Sequence, residues 1–334
     1  MNRTQYFEYL MQELADRQKN RISVSTSIAI VFVIVAWGSN FTVCYCVLKT
    51  KKLHSLANFF LVFLSMADLV QAITVMPLWI DVLVTGKMNF SQNGCKFTGF
   101  MLSFCDTGKL LTIYTILINR LCNIYRPSIY AQLYHRWASI AMVIITWSLT
   151  LVIVVVMTTV GIATIEFHPG RAMCVLTYKD LDTTRSLVLT VFTLSAVVPL
   201  CINIVCHIKA YHELKEHKRE ARGKIRIQIF SITEIAKEEN ESKTDKDDIQ
   251  ATRTLLGVVY AYALCNILTT SIVMADSFRP FFLDRGTHLA LTFFLFVNSV
   301  INPLIFSRTS KTFRDVYVEV FGCKWNRSRV IHVQ

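Results

Sequence analysis

Residues 288–306 read HLALTFFLFVNSVINPLIF, a run with no acid, lysine or arginine. A helix needs about 20 mostly apolar residues to cross a bilayer core, so this run is long enough to span one. Its polar members Asn298, Ser299 and Asn302 would find no partner in lipid and belong on the inside of a bundle. Pro303 removes one helical hydrogen bond and favours a bend beside them. Working back towards the N-terminus, six more apolar runs appear at 23–48, 55–80, 97–121, 137–165, 186–208 and 254–273. Each is bounded by charge, and their sum predicts an all-α, seven-transmembrane helix bundle. The whole chain agrees: 53% of the 334 residues are hydrophobic and only 17% are charged, against roughly 25% charged in a soluble domain. Eleven Gly, six Pro and ten scattered Cys fit neither a collagen-like, a disordered nor a small disulfide-framework chain.

The runs divide the chain into an extracellular N-terminus at 1–22, a membrane domain at 23–306 with a cytoplasmic third loop at 209–253, and a tail at 307–334. The first 22 residues lack the short apolar region and small-residue cleavage site of a secretory leader, so the first span is expected to act as its own targeting signal. With the N-terminus outside, the inner segments hold 23 of the 35 basic residues and the outer ones 11, leaving Lys109 within a span. That asymmetry is what the positive-inside rule asks of a plasma-membrane protein with an inside C-terminus. The net charge of +12 therefore faces anionic lipid and cytosolic partners, not nucleic acid.

On the outer side, Asn2 and Asn89 head Asn-x-Ser/Thr sequons and are glycosylation candidates. Only Cys95 and Cys174 lie in outer regions, where an oxidising exterior would pair them. The other cysteines read as small packing residues, except Cys323 in the tail, a candidate for lipid attachment.

Asp68, Asp106 and Lys109 are the Asp, Glu, Lys or Arg side chains deep inside the spans. An unpaired charge there costs several kcal/mol, so all three should face inward and find partners. Leu102, Asp106, Lys109, Ile113, Ile116 and Arg120 share one helical stripe, which lets Asp106 and Lys109 pair while Asp68 shares the ammonium. Asn298, Ser299 and Asn302 are expected to hydrogen-bond this cluster.

In order along the spans come Gly38-Ser39-Asn40, Leu64-Ser65-Met66-Ala67-Asp68, Cys95 with Arg120 twenty-five residues on, Trp147, Pro199-Leu200, Cys265, and Asn302-Pro303-Leu304-Ile305-Phe306. Seven markers, one per span, resemble the rhodopsin-like (class A) G-protein-coupled receptors from Gly38 to Cys323. The resemblance implies a cell-surface receptor, not an enzyme, that passes an extracellular signal to heterotrimeric G proteins, with arrestin, a receptor kinase and membrane lipid as further partners and no cofactor. It implies an amphipathic membrane-surface helix near 310–320, where Phe313, Val316 and Val320 recur at helical spacing. The 209–253 loop resembles the family's transducer-contacting segment.

The departures are as informative. Where the family carries Asp-Arg-Tyr this chain has Asn119-Arg120-Leu121, so Arg120 lacks its adjacent carboxylate and Asp248 is left to pair with it. Asn266 stands in place of the sixth-span aromatic, and His207 and Phe306 in place of inner tyrosines. The coupling and switch candidates are thus Asn119, Arg120, Leu121, His207, Asp248, Asn302, Pro303 and Phe306. At Lys109 the family usually has a small polar residue that helps hold sodium beside the acid matching Asp68. A tethered ammonium there implies a receptor insensitive to sodium.

The ligand is left open as peptide, lipid or small polar molecule, with Leu102, Ser103, Asp106, Asn266 and Phe296 as pocket candidates. Leu102 occupies the place where amine receptors carry Asp, and Phe296 the place of the retinal-binding Lys, which argues against a conventional amine receptor and a covalent pigment. The altered inner motifs keep an alternative in view, a receptor-fold binding or scaffold protein with weak or no G-protein coupling. A transporter is disfavoured because no hydropathic repeat relates two halves.

Overall fold

The structure, a computed structural model, describes residues 2–50, 53, 56–178, 180–225 and 232–321. Cys323 and the Asp248 side chain lie outside the described residues. Among the described residues, twelve α-helices and one hairpin follow in order: α1 (Arg3–Ala15), α2 (Lys19–Lys49), α3 (Leu56–Thr74), α4 (Met76–Thr85), α5 (Gln92–Tyr125), α6 (Pro127–Leu133), α7 (Arg136–Thr159), β1 (Ala163–His168), β2 (Met173–Tyr178), α8 (Leu181–Phe192), α9 (Val198–Ile225), α10 (Ile232–Phe278), α11 (Arg285–Thr309) and α12 (Lys311–Phe321). Among the described residues, seven segments are long and apolar enough to cross a membrane: Lys19–Lys49, Asn58–Thr85, Gln92–Tyr125, Trp137–Thr159, Asp182–Lys209, Thr254–Phe278 and Arg285–Thr309. They match the seven runs of the sequence.

Two spans are interrupted and a third is cut short, each for a local reason. The second breaks at Val75, between α3 and α4, where Pro77 opens the new helix and its missing N–H costs nothing in a first turn. The fifth joins α8 to α9 through a π-helical turn at Thr193–Val197, just before Pro199. The fourth ends earlier than the sequence run to Ile165 suggests: α7 stops at Thr159, Gly161 turns the chain at φ 79°, and Ala163–Ile165 enter β1. A left-handed φ of that kind is a glycine conformation and a usual helix stop.

The core is split into two apolar layers. Val43, Leu64, Ile113, Ile116, Val259 and Phe306 belong to the inner one. Ala36, Ala72, Trp79, Leu102 and Phe296 belong to the outer one. Asn40, Asp68, Lys109, Ser299 and Asn302 fall between them along their helices and are all buried. At the inner end α12 carries its Phe313 ring 5.9 Å from Phe306 and packs on α11 and α2, giving the amphipathic C-terminal helix.

Two outer elements were not anticipated. β1 and β2 form an antiparallel hairpin from Ala163↔Tyr178 to His168↔Met173, and the Cys95–Cys174 disulfide fastens β2 to the outer end of α5 with a Cα–Cα distance of 5.4 Å. The N-terminal α1 begins with a capping box, in which the Asn2 side chain accepts from the Gln5 N–H and the Gln5 side chain accepts from the Asn2 N–H. It buries Tyr6, Leu10 and Leu14, one residue per turn.

Candidate ligand pocket and intramembrane switch

In the polar layer, Lys109 Nζ lies 3.3 Å from Asp68 Oδ1 and 3.1 Å from Asp106 Oδ1. It also donates to Gln71 Oε1 at 2.7 Å, while Gln71 Nε2 donates to Asp106 Oδ1 at 2.7 Å. Gln71 therefore bridges acid and ammonium, a member the sequence reading missed. Its signal was there: Gln71 lies three residues after Asp68, on the same face. Ser299 Oγ donates to Asp68 Oδ1 at 2.7 Å and Asn302 Nδ2 to Asp68 Oδ2 at 3.3 Å. Asn40 Nδ2 closes the network on the Ser299 carbonyl at 2.8 Å. Asn298, expected in this cluster, is not bonded to it among the described residues: its Oδ1 is buried without a hydrogen-bond partner, and the residue lines the cavity above.

That cavity, of about 330 Å³, runs from Asp106 and Lys109 up to Arg171, Met173 and Tyr178 of the hairpin, walled by the fifth, sixth and seventh spans. Asp106 and Asn266 line it; Leu102, Ser103 and Phe296 are not among its walls. Phe296 is held in the outer core against Trp79, ring centroids 4.9 Å apart, and Leu102 packs in the same cluster. Ser103 Oγ is spent on the Gly99 carbonyl at 2.8 Å. In place of these come Arg171, Ser195, Tyr262 and Thr292. Desolvation pulls the Arg171 guanidinium below its usual value, with Asp276 opposing.

Above the cavity, α1 forms a cover. The Tyr6 hydroxyl lies 2.7 Å from the Leu283 carbonyl and 2.7 Å from His288 Nε2. A hydroxyl has one proton to give and the carbonyl can only accept, so His288 must donate through Nε2. The Phe7 ring sits 5.1 Å from His168, which lies 4.6 Å from His288. Arg3 pairs with Glu166 at 2.7 Å, and Arg17 holds the far end through the Leu14 and Leu83 carbonyls. Desolvation, reinforced by Arg171 and His288, holds the His168 imidazole well below its ordinary value. The Glu166–Arg185 loop residues are thus mostly committed: Asp180 caps α8 and Asp182 pairs with Arg185.

At the inner end, Asn119 and Arg120 are buried, Leu121 is half-buried and His207 exposed. Both polar atoms of the Asn119 side chain lack hydrogen-bond partners. Phe306 is fully buried in the inner core, and α11 continues through Pro303 without ending. Asn2 and Asn89 are both exposed.

Residues 39–306 match the family model described as 7 transmembrane receptor (rhodopsin family). The chain belongs to the rhodopsin family of seven-transmembrane receptors. The receptor is 25% identical over 298 residues to melatonin receptor type 1A of Ovis aries, covering 88% of this chain and 76% of that one. It is 26% identical over 298 residues to melatonin receptor type 1C of Gallus gallus, covering 88% and 80%. The crystal structure of squid rhodopsin shares the fold with a TM-score of 0.73 at 21% identity, covering 90% of this receptor and 86% of that chain. The receptor is accordingly a multi-pass G-protein-coupled receptor of the cell surface, with an extracellular ligand and a G protein as partners, and not an enzyme.

Proposed function

We propose that a small extracellular ligand enters the cavity under α1 and signals through the polar layer to Arg120. What supports this is a chain of contacts that leads from the cavity to the seventh span. Asp106 lines the cavity, Lys109 joins it to Asp68, and Asp68 holds Ser299 and Asn302 of the seventh span. A ligand that changes the charge felt by Asp106 changes what Lys109 and Asp68 hold, and so biases α11 against α5. Arg120 is the transducer-facing residue, and Asn119, Leu121, His207, Asp248, Asn302, Pro303 and Phe306 are the further coupling and switch candidates. The N-terminus and residues 1–22 lie outside, the 209–253 loop and the tail inside, where arrestin, a receptor kinase and lipid meet the receptor. Asn2 and Asn89 carry glycans, and Cys323 a lipid.

The test is basal and ligand-stimulated G-protein activation in cells, at matched surface expression, of the native receptor and Arg120→Ala. Loss of signal in Arg120→Ala supports the reading; an unchanged signal refutes the role given to Arg120. A second reading rests on Asn119: where the family has an acid, a buried amide here bonds nothing, which favours weak coupling. Ligand binding without nucleotide exchange on any G-protein subtype would select it.

A further inference from the structure

The cavity walls carry four polar groups that the protein does not use. Asp106 spends Oδ1 on both Lys109 and Gln71, and no described contact reaches its Oδ2; the side chain is 34% exposed, towards the cavity it lines. Asn298 Oδ1 and Ser195 Oγ are buried without partners, in residues 6% and 2% exposed. At the outer end, Arg171 Nε is likewise buried without a partner, and no ion pair within 4 Å reaches that guanidinium among the described residues. The rest of the wall is mostly apolar, with Leu110, Met173, Leu176, Val188, Leu291 and Leu295, and carries the neutral polar side chains of Tyr262, Asn266, Thr269 and Thr270 among them.

Charge balance sharpens this. The polar layer sets two carboxylates, Asp68 and Asp106, against one ammonium, Lys109. Its residual charge of about −1 sits at the floor of a low-dielectric cavity, where an added cation is worth far more than in water. The acceptors Asp106 Oδ2 and Asn298 Oδ1 suit an ammonium. Arg171 at the other end presents a fork suited to a carboxylate. Asp276 is its rival there, close enough to act on it but not paired with it.

We infer that this cavity takes a small zwitterion with an apolar body, its ammonium on Asp106 and Asn298 and its carboxylate on Arg171. The inference rests on the cavity being the ligand site. It departs from amine recognition at Leu102: the acid used is Asp106, and a positive charge alone is not enough.

The test is thermal melting of purified full-length receptor in nanodiscs with ω-amino acids of two to seven methylenes, beside alkylamines and alkylcarboxylates of matched length. A limited window of chain lengths is expected to raise the melting temperature, with each single-charge analogue at least tenfold weaker. Arg171→Gln, on the hairpin turn and away from the polar layer, should cost the zwitterion about 10-fold or more and leave the alkylamine unaffected; Asp106→Asn should weaken both. Arg171→Lys should shift the preferred chain length, a readout that misfolding cannot imitate. The inference is overturned if no chain length stabilises the receptor, or if the alkylamine binds as well as the zwitterion and Arg171→Gln changes neither. Melting needs no G protein, so nucleotide exchange in the same nanodiscs separates the two failures: stabilisation without exchange overturns coupling alone, and Arg120-dependent exchange without stabilisation overturns the zwitterion alone.

Discussion

Lys109 Nζ of the third span lies 3.3 Å from Asp68 Oδ1 of the second, with both side chains essentially sealed from solvent at 3% and 0% exposure. Removing one member of a buried ion pair leaves the other uncompensated, at about 3–5 kcal/mol, whereas replacing both is often near neutral. Lys109→Met strands two acids, and Asp68→Asn alone leaves Lys109 on Asp106. The expected ranking of thermal stability in detergent is therefore native, then Asp68→Asn, then Lys109→Met, with the double variant above Lys109→Met. Additive losses in the double-mutant cycle would show that the two charges do not act as a pair.

The same ammonium bears on sodium. Lys109 occupies the position from which a mobile cation would approach Asp68, so we expect basal and agonist-driven signalling to be flat when sodium is replaced by N-methylglucamine. In Lys109→Ser the site is opened, and sodium should then lower signalling. A steep sodium dependence in the native receptor would refute this.

Much of this arrangement was legible in the sequence, because a membrane makes some residues expensive. Seven long apolar runs, and the charges of Asp68, Asp106 and Lys109 within them, have few solutions, and pairing is one of them. Gln71 was not singled out because an uncharged amide in a span carries a smaller penalty. Phe296 and Leu102 sit in the outer core with Trp79 and not in the pocket wall, because register along a helix does not say which neighbour a side chain meets. Helix α1 is hard to read from the sequence because its segment is polar on average, although Tyr6, Leu10 and Leu14 recur every four residues behind an Asn2–Gln5 capping box. The hairpin was hidden because Ala163–Ile165 continue the apolar run of the fourth span, and only Gly161 marks the break.

Close packing of the third and fourth spans turns on one glycine. A Cβ on Gly108 would lie 2.7 Å from Trp147 Cζ3, too near for both to stay put. Overpacking of this kind costs roughly 1–3 kcal/mol. Gly108→Ala should lower the melting temperature, and Trp147→Leu in the same chain should recover part of the loss. If Gly108→Ala melts like the native receptor, the two spans have slack that the structure does not show.

The disulfide closes a loop between residues 79 apart in sequence, for which chain-entropy estimates give roughly 4–5 kcal/mol. Cys95→Ser and Cys174→Ser, singly and together, should therefore reduce surface expression to the same extent, since either one opens the same loop. A double variant clearly worse than the singles would mean that the cysteines contribute apart from their bond.

The cover formed by α1 should loosen in acid. His168 is held well below its ordinary value by desolvation and by Arg171, His288 and Arg3 around it. An exposed imidazole titrates near 6.5. With the cover closed this imidazole binds fewer protons than with it open, so closure is favoured at higher pH and weakens as pH falls below about 6.5, with His168 alone contributing at most about 1.4 kcal/mol per unit. Hydrogen exchange of the α1 amides should accordingly be constant from about pH 8 to 7 after correction for intrinsic rates, and accelerate between about 6.5 and 5. His168→Phe keeps a ring against Phe7 and removes the titration, so its profile should be flatter. Tyr6→Phe removes the hydroxyl that meets the Leu283 carbonyl and His288 Nε2 and should raise exchange at every pH, by about 1–3 kcal/mol of lost closure. An acid response of equal steepness in native receptor and His168→Phe would assign the effect to another group.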